Sequence, residues 1–191
     1  LRTSNELGNQ MFMYASAFAI SKQMQREMLI DDETAFLSKK NISKYGLNCF
    51  NISSSLADKE YKFIGLDGYI KRKFLIKTDF IRLNKFFFIE KKNINKISRY
   101  DLSFINKKFN KNLYIEGHFE SEKYFFDYKD LIKKEFSFRN IKLLQNNIFF
   151  NELTNTNSVA ICLRQNRFTE GANKNTEFNK LKSWNYTLEQ I

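Results

Sequence analysis

Proline is absent from this chain, and histidine and tryptophan occur once each, beside two cysteines and six glycines in 191 residues. Cys49 and Cys162 are too few and too far apart for a disulfide scaffold, and neither belongs to a cluster with metal-ligand spacing. The sequence therefore points to a reducing compartment, the cytoplasm, and to no metal or other cofactor. No run of about 18 apolar residues is present to span a bilayer, and no secretory leader is visible. The Gly-x-Gly-x-x-Gly turn of dinucleotide-binding folds is missing, which weighs against a nicotinamide-dependent oxidoreductase although Asp31 follows the first helix at a suitable distance. No internal repeat, RNA-binding aromatic motif or zinc spacing occurs.

What is abundant is positive charge. Thirty-two Lys and Arg against 21 Asp and Glu leave a net charge of +11 and a pI near 9.5. Clustered cations beside aromatics are the footprint of a nucleic-acid binder, but here the lysines are dispersed, and Lys, Asn, Ile and Phe together read as the bias of an AT-rich genome. A solvated basic surface and attraction to an anionic membrane leaflet are the readings this distribution favours, and a basic nucleic-acid-binding or membrane-surface-binding protein without catalysis is the alternative to an enzyme. Phe86 to Ile89, flanked by Lys85, Lys91 and Lys92, is either a buried strand bracketed by solvated lysines or a peripheral membrane anchor.

Along the chain, residues 1–4 supply the tail of a strand, a small-residue helix follows, and Glu27 to Ile30 with Asp31 and Asp32 reads as a short strand ending in acids. A strand-turn-helix-strand unit implies a parallel sheet, hence an α/β fold. Lys62 to Tyr69 has the glycines of turns and strands, and Ile70 to Lys111 is basic, aromatic and irregular. Leu113 to Gly117 is a further strand, followed by a helix from Lys123 to Glu135 whose apolar face carries Tyr124, Phe125, Tyr128, Leu131 and Ile132. A second helix spans Asn140 to Leu153. Thr154 to Asn157 is a polar hinge, Ser158 to Leu163 an apolar strand, Thr169 to Asn179 a loop, and Trp184 to Ile191 the start of a helix. This layout divides the chain into an N-terminal domain, 1–155, and the beginning of another, 156–191.

The stretch Glu6-Leu7-Gly8-Asn9-Gln10-Met11-Phe12-Met13-Tyr14-Ala15 carries the most information. Asn9 is a candidate helix N-cap, Gly8 allows close approach, and Phe12, Ala15, Phe18 and Ala19 recur at helical spacing to form one narrow face. Leu-Gly-Asn-Gln-Met-Phe-x-Tyr-Ala resembles the opening signature of the α-1,2-fucosyltransferases, glycosyltransferase family eleven. Two further segments agree in order. Tyr114 to Phe125 is similar to the family's Leu-x-Gly-Tyr-x-Gln-Ser-Glu-Lys-Tyr-Phe, and Ser158 to Phe168 resembles its nucleotide-binding strand and loop, usually His-x-Arg-Arg-Gly-Asp-Tyr.

That resemblance implies a GT-B-type glycosyltransferase with Rossmann-like domains, the second largely missing from this chain. It implies inverting, metal-independent transfer of L-fucose from GDP-fucose to the 2-hydroxyl of a galactose-like acceptor in surface polysaccharide such as lipopolysaccharide. Arg164 matches the first Arg of the nucleotide-binding motif and is implied to contact the GDP phosphates, with Gln165 and Arg167 beside it. Cys162, Gln165, Asn166 and Arg167 depart from the motif, and Arg167 could restore the cation that Gln165 lacks. Asn9, with Gly8 and Gln10, is implied to hold the sugar nucleotide or the attacking hydroxyl. Glu6, where the family carries Gly, is either a base or an acid favoured by the helix dipole. His118 and Glu116 complete the acceptor-cleft candidates, with His118 read as cleft wall rather than proton acceptor; Glu120 and Glu122 are ambiguous, and no general base is assigned.

Overall fold

The computed structural model describes residues 1–37, 43–80, 86–90, 100, 109, 112–142 and 148–159. The chain divides into two compact units, residues 1–141 and 142–191.

In the first unit, strand β1 (Leu29–Ile30) pairs in parallel with β2 (Ser55–Leu56), and β3 (Phe87–Ile89) pairs in parallel with β4 (Tyr114–Glu116). The N-terminal segment joins these pairs. Arg2 bridges Asp31 in parallel, Asp31 N–H donates to the Leu1 carbonyl (2.7 Å) and Thr3 N–H to that of Asp31 (3.1 Å), while Arg2 N–H donates to the Ile115 carbonyl (3.0 Å). Residues 1–3 therefore lie between two separate two-stranded sheets, bridged to the first at Asp31 and joined to the second by the Arg2–Ile115 bond, in the lateral order β2, β1, residues 1–3, β4, β3. Of the expected strand-turn-helix-strand unit, the helix and the strand after it are present, while residues 1–4 contribute a single parallel bridge from Arg2 to Asp31 in place of a strand.

Both faces are covered, as a parallel sheet requires. Helix α1 (Leu7–Gln23) lies on one face, where Met13, Ala17 and Ile20 pack with Leu1, Ile115, Phe119 and Tyr124, and Tyr14, Ala15 and Phe18 with Ile30, Leu47 and Ile132. From Met13 to Ser21 every residue of α1 is buried, so the single narrow face expected from Phe12, Ala15, Phe18 and Ala19 is replaced by burial all round, with Phe12 exposed. Small residues at 15, 16, 17, 19 and 21 let neighbours close in on every side. The Tyr14 hydroxyl donates to Glu135 Oε2 (2.5 Å), tying α1 to α3 (Lys129–Glu135).

Helix α2 (Gly65–Phe80) covers the other face through Leu75 and Ile76, which pack against Phe63, Phe87 and Tyr114. This helix replaces the turns expected at residues 62–69 and the first part of the irregular stretch after residue 70. Gly65 enters it at φ +71°, a left-handed conformation open to glycine, and Gly68 packs on the Phe63 backbone with no room for a Cβ. The glycines that read as turn signals are the entry and packing contacts of a helix.

β3 and β4 are close to the expected strands, and within the lysine-bracketed aromatic run Phe87 is buried, Phe86 and Phe88 are half-buried and Ile89 is exposed. The helix expected over residues 123–135 is broken. Two 3-10 turns, Glu122–Tyr124 and Phe126–Tyr128, precede α3, because Tyr124 turns inward onto Phe119 while its neighbour Phe125 leans on Phe12. In the second unit, α4 (Ile148–Asn155) runs into the first half of the expected hinge. Among the described residues no helix is long and apolar enough to cross a membrane.

Candidate functional site

Open α/β sheets bind ligands outside the carboxyl ends of their strands, where the strand order breaks. Here the order breaks between residues 1–3 and β4, since the chain leaves the N-terminal segment toward β1 and β2 and returns on the other side as β3 and β4. The two neighbours run in the same sense: Arg2 bonds to Ile115, and three residues further along each, Asn5 meets His118.

That meeting is the centre of the candidate site. The Asn5 side-chain amide lies 2.9 Å from His118 Nε2. With the amide donating, Nε2 is the acceptor and the ring proton sits on Nδ1, which faces Glu120 Oε1 at 3.4 Å. Both exits are held in left-handed backbone conformations without glycine, Asn5 at φ +61° and Phe119 at φ +50°. For a residue as bulky as Phe such a conformation costs about 1–2 kcal/mol and persists only where surroundings dictate it. They do so here. Phe119 is fully buried, and Glu90 Oε2 accepts both the His118 N–H (2.8 Å) and the Phe119 N–H (3.0 Å). A Cβ on Gly117 would come within 2.9 Å of that Glu90 oxygen, so the turn after β4 requires glycine.

The structure distributes the sequence candidates unequally. Glu6, not Asn9, occupies the N-cap of α1, with φ −76° and ψ 166°, and Asn9 lies in the first turn. No side chain caps this end, and Gln10 N–H is bonded to the Glu6 carbonyl (3.1 Å), leaving the earlier amides without intrahelical partners. Glu6 itself is exposed and accepts from Ser43 Oγ (2.8 Å). Gly8 is exposed, and among the described residues nothing lies within 4 Å of where its Cβ would be, so close approach to these residues is not what it serves. Asn9 is half-buried and makes no side-chain hydrogen bond among the described residues.

Gln10 and Glu116 are committed internally. Gln10 is fully buried; its Nε2 donates to the carbonyls of Asn5 (2.7 Å) and Lys44 (2.8 Å), and its Oε1 accepts the Gly46 N–H (2.9 Å). It positions the Asn5 turn and has no donor left for a ligand. Glu116 is buried on the α2 face and receives the Arg72 fork, Nε at 2.7 Å and Nη2 at the other oxygen, together with Arg2 Nη1 at 3.1 Å. Burial disfavours the Arg72 charge, but the hydrogen bonds to Glu116 outweigh it and leave the guanidinium above its usual value. Glu116 is thus a neutralised strut rather than part of an acceptor cleft.

Asp31, the residue that invited a dinucleotide reading, is saturated. Oδ1 accepts the N–H groups of Glu33 and Thr34, and Oδ2 accepts the hydroxyls of Thr34 (2.5 Å) and Tyr114. None of its lone pairs is left for a ribose. A cavity of about 410 Å³, lined by Ile20, Met24, Met28, Phe86 and Leu113 among others, opens at the amino ends of the strands, opposite Asn5 and His118. Among the described residues no group of His, Cys, Asp and Glu could hold a metal ion. Arg164, Gln165 and Arg167, like the loop at 169–179 and the helix from 184, lie outside the described residues; of the strand expected at 158–163 only Ser158 and Val159 are described, both exposed.

Comparison with protein-family models, with curated proteins and with solved structures returns no match to this chain.

Asn5 is the functional candidate that sequence reasoning passed over. Its only local signal was its place between a strand and a helix, since a left-handed Asn is recognised by backbone geometry, not by spacing.

Proposed function

We propose that this chain is the acceptor-side, Rossmann-like part of a GT-B-type α-1,2-fucosyltransferase together with the start of its nucleotide-sugar domain. The reaction is transfer of L-fucose from GDP-fucose to the 2-hydroxyl of a galactose-like residue on a surface glycan. The acceptor oxygen attacks the anomeric carbon from the face opposite the leaving group, the bond from that carbon to the diphosphate oxygen breaks, and GDP departs. Charge developing on the diphosphate needs fixed positive groups. On the family resemblance Arg164, with Arg167, is assigned to it, while the open first turn of α1 at Gly8 and Asn9 offers N–H groups suited to the sugar nucleotide or the attacking hydroxyl.

The observation that supports this reading most is the exposed, uncapped start of α1 beside the break in strand order, in the very segment that resembles the family signature. Gln10 and Glu116 take positioning roles, and His118 with Asn5 walls the acceptor side.

The test is calorimetric titration of GDP-fucose, GDP-mannose and GDP into the full-length protein, alongside Arg164→Ala and Gly8→Val variants. GDP-fucose binding that falls at least tenfold in both variants is the expected result. Because the space around Gly8 is open, Gly8→Val leaves the fold standing and reports occupancy at the helix start. Absence of guanine-nucleotide binding to the unaltered protein would remove the proposal.

A further inference from the structure

The outer face of α2 is apolar where an exposed helix face is ordinarily polar. Leu66, Ile70 and Phe74, spaced four residues apart on one row, are 81%, 64% and 65% exposed, and Tyr69 beside them is half exposed. The inner side of the same helix is fixed by Arg72 on Glu116 and by Leu75 and Ile76 in the aromatic core, so the direction of the outer row follows from contacts. Lys73 and Lys77 form the adjacent row and Lys71 flanks the other side, all exposed; Lys73 Nζ sits 4.6 Å from the Tyr69 ring centre. Asp67, in the first turn, is the one acid on this face, where the helix dipole accommodates it.

We infer that this face of α2 docks on an anionic phospholipid surface, with Leu66, Ile70 and Phe74 entering the acyl boundary and Lys71, Lys73 and Lys77 reaching the headgroup phosphates. Apolar residues in a row with lysines on both sides match the two layers of a bilayer interface, and the lysine stems allow the ammonium groups to rise to the phosphates while the apolar side chains sink. Charge decides against a second copy of the chain, since a self-complementary contact on this face would set the same three lysines against one another. The chain's +11 net charge acts in the same direction by drawing the protein to an anionic leaflet. The inference concerns a surface separate from the α1 start and does not depend on the donor proposed above.

The experiment is co-sedimentation of the full chain with phosphatidylcholine vesicles with and without phosphatidylglycerol, comparing the unaltered protein, Ile70→Ser/Phe74→Ser and Lys73→Gln/Lys77→Gln. Expected are binding only where phosphatidylglycerol is present, and a loss of about tenfold or more in each double variant. Thermal melting should be unchanged, because the altered side chains project from the fold. Failure of the unaltered protein to bind overturns the inference, as does full binding by Ile70→Ser/Phe74→Ser, which would reduce the effect to general cationic attraction. A dimer abolished by Ile70→Ser/Phe74→Ser, without vesicle binding, would assign the face to a second copy instead.

Discussion

Asn5 and His118 meet at 2.9 Å across the carboxyl ends of neighbouring strands, and each belongs to a turn with a left-handed residue, Asn5 itself and Phe119. The contact closes the site on the side where the sheet order breaks. Two substitutions separate backbone from side chain. Asn5→Gly keeps the conformation open and should change stability by less than about 1 kcal/mol, whereas Asn5→Val, β-branched and left-handed, should cost about 2 kcal/mol or more. Urea unfolding that ranks the two variants equally would show that the turn does not depend on its left-handed residue.

Gly117 is the tightest point of the same region. Adding a methyl group there displaces Glu90 and withdraws the acceptor shared by the His118 and Phe119 amides. Gly117→Ala is expected to destabilise the fold by roughly 2–4 kcal/mol, the sum of overpacking and unmet buried N–H groups. Chemical denaturation provides the check, and a loss below about 1 kcal/mol would mean that the carboxylate can move without consequence.

Gln10 links the start of α1 to residues 44–46 and to Asn5 through three hydrogen bonds. Gln10→Ala should cost roughly 1–3 kcal/mol, because it removes a fully buried side chain and three hydrogen bonds whose backbone partners are themselves partly buried. The Gly46 amide should exchange with deuterium much faster in this variant. Unchanged exchange at Gly46 would contradict the positioning role.

Three tyrosines set an alkaline limit. Burial, followed by the Glu135 carboxylate, raises the Tyr14 phenol; burial followed by Asp31 raises Tyr114; burial followed by Asp32 pushes Tyr45 up to about 12. A folded value above the unfolded one means that the unfolded chain releases its proton first. Stability is therefore unaffected below the unfolded tyrosine value near pH 10 and declines above it, by about 1.4 kcal/mol per pH unit for each such group. Absorbance at the tyrosinate band, followed with circular dichroism, should show these three of the nine tyrosines ionising together with unfolding. Their ionisation in a still-folded protein near pH 10 would refute the assignment.

The local periodicities were legible. Apolar residues at 29–30, 87–88 and 114–115 pack into the strand pairs, so β1, β3, β4 and a parallel sense could be read from residue types and from the helix ahead of β1, whereas β2, two exposed residues long, carried no such signal. Helix α2 was not legible, because an apolar outer face and two glycines imitate a turn-rich strand region, and only contacts with Phe63, Phe87 and Tyr114 distinguish the alternatives.

Polar roles were decided by the tertiary structure. Gln10, Glu116 and Asp31 read as ligand groups because a carboxylate or amide near a strand end is chemically able to bind one. Each is consumed instead by partners remote in sequence, 34 positions away for Gln10 and Lys44, 44 for Arg72 and Glu116, and 83 for Tyr114 and Asp31. Asn5 gained its place through a histidine 113 positions further on. The sequence by itself determined which segments are apolar enough to bury and which backbone pattern they favour, since those depend on neighbours in the chain. Which polar groups remain open to a ligand depends on hydrogen bonds between distant segments, and only the folded arrangement decides that.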